Sequence, residues 1–441
     1  MIITGIIFLW AAALARAQDS VPQGGVLSFR QALRQIAEKG RAVRIAGGTE
    51  EMIRGDAVRA RSALLPQVSA QAGRRYYAYQ PTAVTGATRL PTSERDFNVV
   101  GVAVYQTLYD FGGNVKNLDA AREQEGAARA ATSRVRNEAL LDLVNAYFDL
   151  LEIDRLVAVA VEEMVSLGGH LKDVVVLYRE GVVTRNEFLT ARVKFAGARQ
   201  KLMALKNQRK VARAQLGAML SLKDGVFLSV EDPEVHPDRD LTLAAAQARA
   251  LAGRKEFREA ARALKASELR QGSLRASERP SVFASGGYDY AANRYQARND
   301  NWSGQVGIKL SVFNGGLTKG EIDKECARHA QLEEQQGKLE EDIRVQVERA
   351  FWGVHSAAEN GRLARTAALQ ARENYRVNRV RYKEGQATST EVLDAITLLT
   401  GVETDQWRAV YGEKRAWAAL LYAMGTDISE GYLKEADHEA R

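Results

Sequence analysis

One stretch of the sequence occurs twice, and this duplication is the feature that most constrains how the chain can fold. Tyr178-Arg-Glu-Gly-Val-Val-Thr184 returns as Tyr382-Lys-Glu-Gly-Gln-Ala-Thr388, 204 positions later. The same offset superimposes Ala146-Tyr147-Phe148 on Ala350-Phe351-Trp352. Repetition on this scale is typical of folds built from two equivalent units. We therefore expect the 441 residues to form one two-lobed structure rather than several unrelated domains.

The duplication also predicts how the chain is divided. Ile2 to Leu14 is apolar and too short to span a bilayer as a helix, and Ala15-Arg16-Ala17 follows it as a cleavage pattern, although no Lys or Arg precedes the apolar run. Pro233 and Pro237 mark an irregular connector. The predicted segments are a signal peptide 1–17, a first repeat 18–220, a connector 221–240, a second repeat 241–425 and a C-terminal tail 426–441.

Composition excludes several classes of site. Cys326 is the only cysteine, so neither a disulfide within the chain nor a cysteine-based zinc site can form. The five histidines share no i, i+4 pairing, which favours surface or packing roles over metal binding. The net charge of +7 comes from Lys and Arg interleaved with Asp and Glu, without the basic run that nucleic-acid binding requires. We expect no metal, no cofactor and no nucleic acid.

Alternating hydrophobicity predicts four strands, two in each repeat, after Pro66 and after Pro280. Such a pattern fits a half-buried sheet in a soluble domain, but strands of about ten residues also have the length of tilted transmembrane strands. Because about eight strands are needed to close a membrane barrel, four would require oligomerisation. One predicted strand, Phe97 to Tyr109, is apolar on both faces, which leaves its orientation open. The four strands are predicted at about 67–79, 97–109, 281–292 and 301–312.

Long helical hairpins follow the strands, at about 113–220 and 316–424. Apolar residues recur at spacings of three and four from Ala139 to Leu167 and from Ile343 to Ala371, which predicts coiled-coil seams. The first long helix would measure about 100 Å at 1.5 Å per residue, whereas the return helices are shorter. The fold class is therefore mainly α, with a duplicated strand-strand-hairpin unit, and helices before each proline are expected to supply the missing length.

This order of elements closely resembles the TolC family of outer-membrane efflux proteins. The resemblance extends from about Leu27 to Gly425. It implies a homotrimer whose protomers each give four strands to a twelve-stranded β-barrel in the outer membrane of a Gram-negative bacterium, continued by a periplasmic α-helical barrel. The motifs that carry it are Leu64-Leu65-Pro66-Gln67-Val68, Gln106-Thr107-Leu108-Tyr109-Asp110-Phe111-Gly112-Gly113, Val312-Phe313-Asn314-Gly315-Gly316 and both Tyr-x-x-Gly turns.

The resemblance also implies partners and site residues. Members of the family dock with a periplasmic adaptor and an inner-membrane pump of the ABC, RND or MFS type. The turn residues that match the docking tips are Gly181, Val182 and Val183 in the first repeat and Gly385, Gln386 and Ala387 in the second. Glycine in such a turn also has a purely conformational role, because the backbone there adopts positive φ. The two roles are compatible.

Four further residues match the family's periplasmic gate: Glu187, Tyr382, Glu391 and Asp394. Glu391 and Asp394 are three residues apart, hence on one helix face, and rings of such carboxylates in a trimer would favour cations. A pair of solvated surface acids is the alternative. Ala387 stands where the type member of the family has arginine, so a salt-bridged lock is not expected at this position.

The sequence contains no nucleophile elbow, phosphate-binding glycine motif or paired histidines, so we predict no enzymatic activity. The predicted function is a passive exit duct for drug efflux or type I protein secretion. A periplasmic coiled-coil adaptor or scaffold without channel activity is the alternative. That alternative gives no role to four amphipathic strands or to the Gly-Gly junctions that precede both long helices.

Overall fold

The computed structural model describes residues 26–222, 229–235 and 237–432. The predicted signal peptide lies outside the described residues, as do His236, His438 and parts of the connector and tail. The first repeat contains five strands and four helices. In chain order they are β1 (Val26–Leu27), α1 (Phe29–Lys39), α2 (Arg41–Ser62), β2 (Gln67–Tyr76), β3 (Thr82–Thr85), β4 (Thr88–Pro91), β5 (Asp96–Tyr109), α3 (Gly113–Arg179) and α4 (Arg185–Met219).

The second repeat has the same sequence of long elements. The connector contributes one short strand, β6 (Ser229–Val230). The second repeat then contains α5 (Leu243–Gly253), α6 (Lys255–Ala276), β7 (Ser281–Ala291), β8 (Asp300–Lys309), α7 (Leu317–Lys383) and α8 (Ser389–Ala423). The predicted fold class, a duplicated strand-strand-hairpin unit that is mainly helical, is confirmed. The short β3–β4 hairpin, which pairs Thr82 with Pro91, has no counterpart in the prediction.

Helix ends follow local sequence signals. Ser28 caps α1 through a capping box with Gln31, whose backbone N–H lies 3.3 Å from the Ser28 hydroxyl. Gly112 and Gly316 precede the two long helices with φ of 79° and 86°, a conformation that residues with a Cβ rarely adopt. The Gly-Gly junctions therefore set the angle at which each strand enters its helix.

The helices form one layer in which α3 lies between α4 and α8, and α8 lies between α3 and α7. Each long helix has 67 residues and each return helix 35, about 100 Å and about 50 Å. Helices α2 and α6 pack beside the other half of the long helices, as the difference in length predicts.

Every predicted position of the coiled-coil seams is buried or half-buried. None of the described helices is apolar and long enough to cross a bilayer.

The four long strands form one antiparallel sheet in the order β2-β5-β7-β8. Its register determines which residues share a face, since directly paired residues point the same way. Val102 pairs with Ala70 and with Tyr288, and Tyr288 pairs with Trp302. The alternation that was ambiguous for Phe97 to Tyr109 is thereby resolved. Val102 lies on the face shared with the apolar residues of the other three strands.

The core lies midway along the molecule, where the connector meets both hairpins. Tyr147 is fully buried, and its hydroxyl donates to the carbonyl of Glu231 at 2.6 Å and approaches that of Leu27 at 3.1 Å. The carboxylate of Asp232 accepts from Tyr411 and from Lys414, each at 2.7 Å. These bonds join the beginning of the first repeat, the connector and both hairpins into one unit.

Candidate functional site

The two Tyr-x-x-Gly turns have the same backbone structure. Gly181 and Gly385 have φ of 73° and 74°. In each turn the backbone N–H of the residue after the glycine donates to the carbonyl five positions earlier. Val182 donates to Leu177 and Gln386 donates to Arg381, both at 2.8 Å. This is a Schellman end, in which glycine at positive φ satisfies carbonyls that the helix leaves unpaired. The duplication is therefore conserved in geometry as well as in sequence.

The return helices begin with equivalent caps. The Thr184 and Thr388 hydroxyls each accept from the backbone N–H three residues on, at 3.3 Å. In the second repeat Glu391 completes a capping box, because its carboxylate accepts the Thr388 N–H at 2.6 Å. That hydrogen bond from the backbone holds the pKa of the Glu391 carboxyl below its usual value, and the Thr388 hydroxyl acts in the same direction. Glu391 thus has a structural role.

The turns expose different chemistry at the end of the molecule. Val182 is 68 % exposed, and Gly181 beside it is also exposed. In the second repeat Gln386 is exposed, and its carbonyl accepts a hydrogen bond from Arg381 at 3.0 Å. Val183 and Ala387 are half-buried. The predicted docking residues therefore form one apolar tip and one polar tip.

Two of the predicted gate residues lie together between the hairpins. Tyr382 packs against His170, with ring centroids 5.0 Å apart. Burial raises the pKa of Tyr382, and the carboxylates of Glu187 and Asp173 raise it further, so Glu187 acts electrostatically on this cluster. The equivalent Tyr178 behaves differently, because it stacks on Phe188 of its own return helix at 5.3 Å. Tyr382 therefore contacts the other hairpin, whereas Tyr178 packs within its own.

Sequence reasoning did not identify His170 or Ser389 as members of this cluster. His170 is 5 % exposed, and its Nε2 lies 2.8 Å from the Ser389 hydroxyl. Burial lowers the pKa of His170, although Asp173 and Glu187 oppose that effect. The only sequence signal was that Ser389 is the first residue of α8, and a contact across 219 positions cannot be inferred from that. We call His170, Ser389, Tyr382 and Glu187 the inter-hairpin cluster.

The other two predicted gate residues are separate from this cluster. Glu391 and Asp394 are both exposed and lie on the same face of α8. The neighbouring residues Val392, Leu393 and Ala395 are buried. The predicted gate is thus divided in the single chain: Tyr382 and Glu187 lie between the hairpins, and Glu391 and Asp394 face outwards.

The class of protein follows from the fold together with a family match: it is an outer-membrane efflux protein. The chain matches the family model described as outer membrane efflux protein over residues 33–221 and 247–426, and it belongs to that family. The match covers both repeats separately, in agreement with the duplication. The family is one of channels, not of enzymes, and its members are exit ducts.

Comparison with individual proteins agrees. Nodulation protein T of Rhizobium leguminosarum bv. trifolii is 21 % identical over 336 residues, which cover 74 % of this chain and 70 % of that protein. The outer membrane protein VceC of Vibrio cholerae has a TM-score of 0.77 at 17 % identity, over 90 % of this chain and 96 % of VceC. The CmeC outer membrane channel of Campylobacter jejuni has a TM-score of 0.79 at 13 % identity, over 93 % and 89 %. At these identities the structural likeness establishes the fold.

Proposed function

We propose that this protein acts as a homotrimer in the outer membrane, where it passively conducts substrates delivered by an inner-membrane pump and a periplasmic adaptor. The observation that carries this proposal is the sheet. Val104, Gly286 and Gly304 are paired across the sheet, and the face to which they belong is apolar in all four strands. Strands β2 and β8 each have one neighbour, so both edges of the sheet are open. Three copies placed edge to edge would close twelve strands and leave no edge.

The scaffold alternative fits this sheet poorly. A periplasmic adaptor has no use for strands that expose Val306 and Ile308 at 72 % and 73 % on one side. Large exposed apolar patches of this kind mark surfaces that contact a partner or a membrane. The test is to purify the full chain in detergent and to record conductance in a planar bilayer. A heat-sensitive trimer that conducts ions supports the duct, and a non-conducting monomer in the soluble periplasmic fraction contradicts it.

We further propose that the turns carry the adaptor contact and that the nearby acids control the entrance. The supporting observation is that both turns lie at the same end of the helical layer, far along the hairpins from the sheet. The apolar tip around Val182 offers the larger dry contact, and Gln386 at the polar tip offers hydrogen bonds. If the second turn contacts the adaptor, Ala387→Lys should weaken adaptor binding. Pull-down of a periplasmic adaptor from the same organism measures the effect.

The cargo is either a small toxic compound or a secreted polypeptide. One deletion strain distinguishes them, if it is assayed both for sensitivity to toxic compounds and for proteins missing from the culture supernatant. Sensitisation without loss of secreted proteins identifies drug efflux. Loss of a secreted protein without sensitisation identifies type I secretion.

A further inference from the structure

The return helices of the two repeats are equivalent in position but opposite in charge. Helix α4 contains nine Lys and Arg residues and one acidic residue, whereas α8 contains three and five. Three pairs of equivalent positions, 204 residues apart, carry opposite charges: Arg199 and Glu403, Lys201 and Asp405, Arg209 and Glu413. The two repeats therefore share their backbone structure, caps and turns but differ in charge. Helix α4 has a basic surface that α8 lacks.

The basic residues of α4 recur at coiled-coil spacing. Its buried positions include Ala191, Ala198 and Leu202, at intervals of seven and four, which sets the heptad. Relative to that seam, one flanking position is basic in successive heptads, and each of these residues is exposed, about 10 Å from the next at 1.5 Å per residue. We define these four residues as the α4 basic face: Arg185, Arg192, Arg199 and Lys206.

Among residues 26–222, 229–235 and 237–432, ion pairs neutralise other basic residues of α4 but not the α4 basic face. Basic residues of α4 that point towards α3 have acidic partners there: Lys201 lies 2.9 Å from Glu163, and Arg209 lies 3.6 Å from Asp154. Within the part of the chain that the structure describes, no ion pair involves any residue of the α4 basic face. In α8 the residue equivalent to Arg199 is Glu403, which is 5 % exposed and bonded to Arg372 at 2.8 Å.

A second copy of the chain does not supply the missing negative charge. Helices α4 and α7 are the two edges of the helical layer, so in a closed ring α4 meets α7 of the next copy. The part of α7 opposite α4, residues 353–383, has seven Lys and Arg and only two acids. Both acids are already engaged, Glu359 by Arg362 at 2.6 Å and Glu373 by Arg376 at 2.7 Å. This seam would bring like charges together.

We propose that the α4 basic face is the docking surface for an acidic α-helix of a partner protein, with Glu or Asp at seven-residue intervals, lying along the seam between α4 and α7 of the next copy. Residues that flank a coiled-coil seam determine which helix pairs with which, and in which orientation. A polysaccharide or other irregular polyanion has no such period. The inference rests on the proposed function, because the helix would belong to the periplasmic adaptor.

The probe is a designed helical hairpin in which one helix carries Glu at seven-residue intervals over four heptads. A second hairpin of the same composition has its Glu residues at irregular intervals. Binding of each hairpin to the purified full-length trimer is measured by fluorescence anisotropy at two salt concentrations. We expect the regular hairpin to bind at least tenfold more tightly than the irregular one, with affinity that falls as salt rises.

The protein variant is Arg185→Gln, Arg192→Gln, Arg199→Gln and Lys206→Gln combined, which keeps helix propensity and removes four charges. The control removes four exposed charges elsewhere, by Lys39→Gln, Arg41→Gln, Arg44→Gln and Arg61→Gln. The first variant should lose at least tenfold in affinity for the regular hairpin, and the control should lose less than twofold.

Three results would overturn the inference. Equal binding of both hairpins would identify a non-specific polyanion surface. Dissociation of the trimer in the first variant alone would identify the α4 basic face as a contact between copies. A wild-type trimer that conducts ions but binds neither hairpin would contradict this inference and leave the proposed function standing, whereas a non-conducting monomer would contradict the proposed function itself.

Discussion

His170 joins the two hairpins near their turns. It is buried between the hairpins, where its ring packs on Tyr382 and its Nε2 meets the Ser389 hydroxyl. The charged and titratable groups that act on it are Asp173 on its own helix, Glu187 on α4 and Tyr382 on α7. Burial favours the neutral form of this imidazole, so protonation of His170 would place a charge at the contact that joins the two hairpins.

This burial makes stability depend on pH. Because the pKa of His170 is lowered in the folded protein, both states are neutral above the unfolded value of about 6.5 and the group contributes nothing there. As the pH falls below that value, the unfolded chain binds a proton that the folded imidazole does not, so stability decreases until the folded pKa is reached. We expect thermal unfolding between pH 5 and 7 to be less pH-dependent in His170→Gln than in wild type. His355→Gln, which leaves the inter-hairpin cluster intact, is the control, and an equal change in both variants would refute the assignment.

Single residues were predictable where their role is local. Ser28 and Gly40, residue types that favour the two ends of a helix, stand immediately before and after α1. These roles depend on neighbours within a few positions. The partnership of His170 with Ser389 depends on how two hairpins pack, and no periodicity encodes it. The site residues Glu187, Glu391 and Asp394 remain predictions, because the single chain does not form the entrance they would line.

At the scale of elements, the turns combine a conformational requirement with a proposed docking role. Gly181→Ala and Gly385→Ala place a Cβ on a backbone with φ above 70°, which costs about 1–2 kcal/mol. Trypsin should then cleave at Arg179 or Lys383 about five- to thirty-fold faster, through more frequent local opening. Gly401→Ala is the control, because Gly401 is helical with no atom near the added Cβ, and it should slow cleavage or leave it unchanged. Equal cleavage of all three variants would show that the turns are not strained.

The sheet offers a test of which face meets the lipid. Val306 lies on the apolar face near the middle of β8, and the adjacent Gln305 lies on the polar face. Val306→Arg should cost about 2–4 kcal/mol if it faces the bilayer centre, whereas Gln305→Arg should cost little in a water-filled lumen. Insertion into liposomes, followed by protease protection and heat-modifiability on gels, measures the difference. Equal insertion of both variants would contradict the assignment of faces.

Elements were predicted well where the pattern has a clear period. The coiled-coil seams and the parity of β8 follow from spacing alone. The facing of β5 could not be predicted, because Val99 and Val100 are both apolar and only the pairing of β5 with its neighbours β2 and β7 distinguishes them. The β3–β4 hairpin was missed because Thr82–Thr85 and Thr88–Pro91 are too short for a period to emerge.

At the scale of the whole molecule, the duplication explains why the helical layer and the sheet each have two open edges. Two equivalent units placed side by side bury one contact, α3 against α8. The equivalent surfaces, on α4 and α7, lie at opposite edges of the helical layer, where the proposed trimer would bring them together. The same holds for β2 and β8 in the sheet. The order of elements could be predicted from the repeats. The difference in charge between α4 and α8 could be related to a binding surface only from the structure, because the structure shows that α4 lies at an edge of the helical layer and α8 inside it.

The last prediction concerns the entrance of the assembled duct. If Glu391 and Asp394 form rings around it, Glu391→Gln with Asp394→Asn should reduce cation preference and block by polyvalent cations. Glu391 also caps α8, but Gln serves equally well at that position of a capping box, so the charge is removed while the helix start is kept. Reversal potentials under a salt gradient, and block by a trivalent cation, measure the effect in planar bilayers. Glu333→Gln with Glu334→Gln, two exposed acids on α7, removes the same charge away from the turns. Selectivity that changes only in the first variant supports the rings, and selectivity unchanged in both, with the trimer intact, would return Glu391 and Asp394 to the solvated surface.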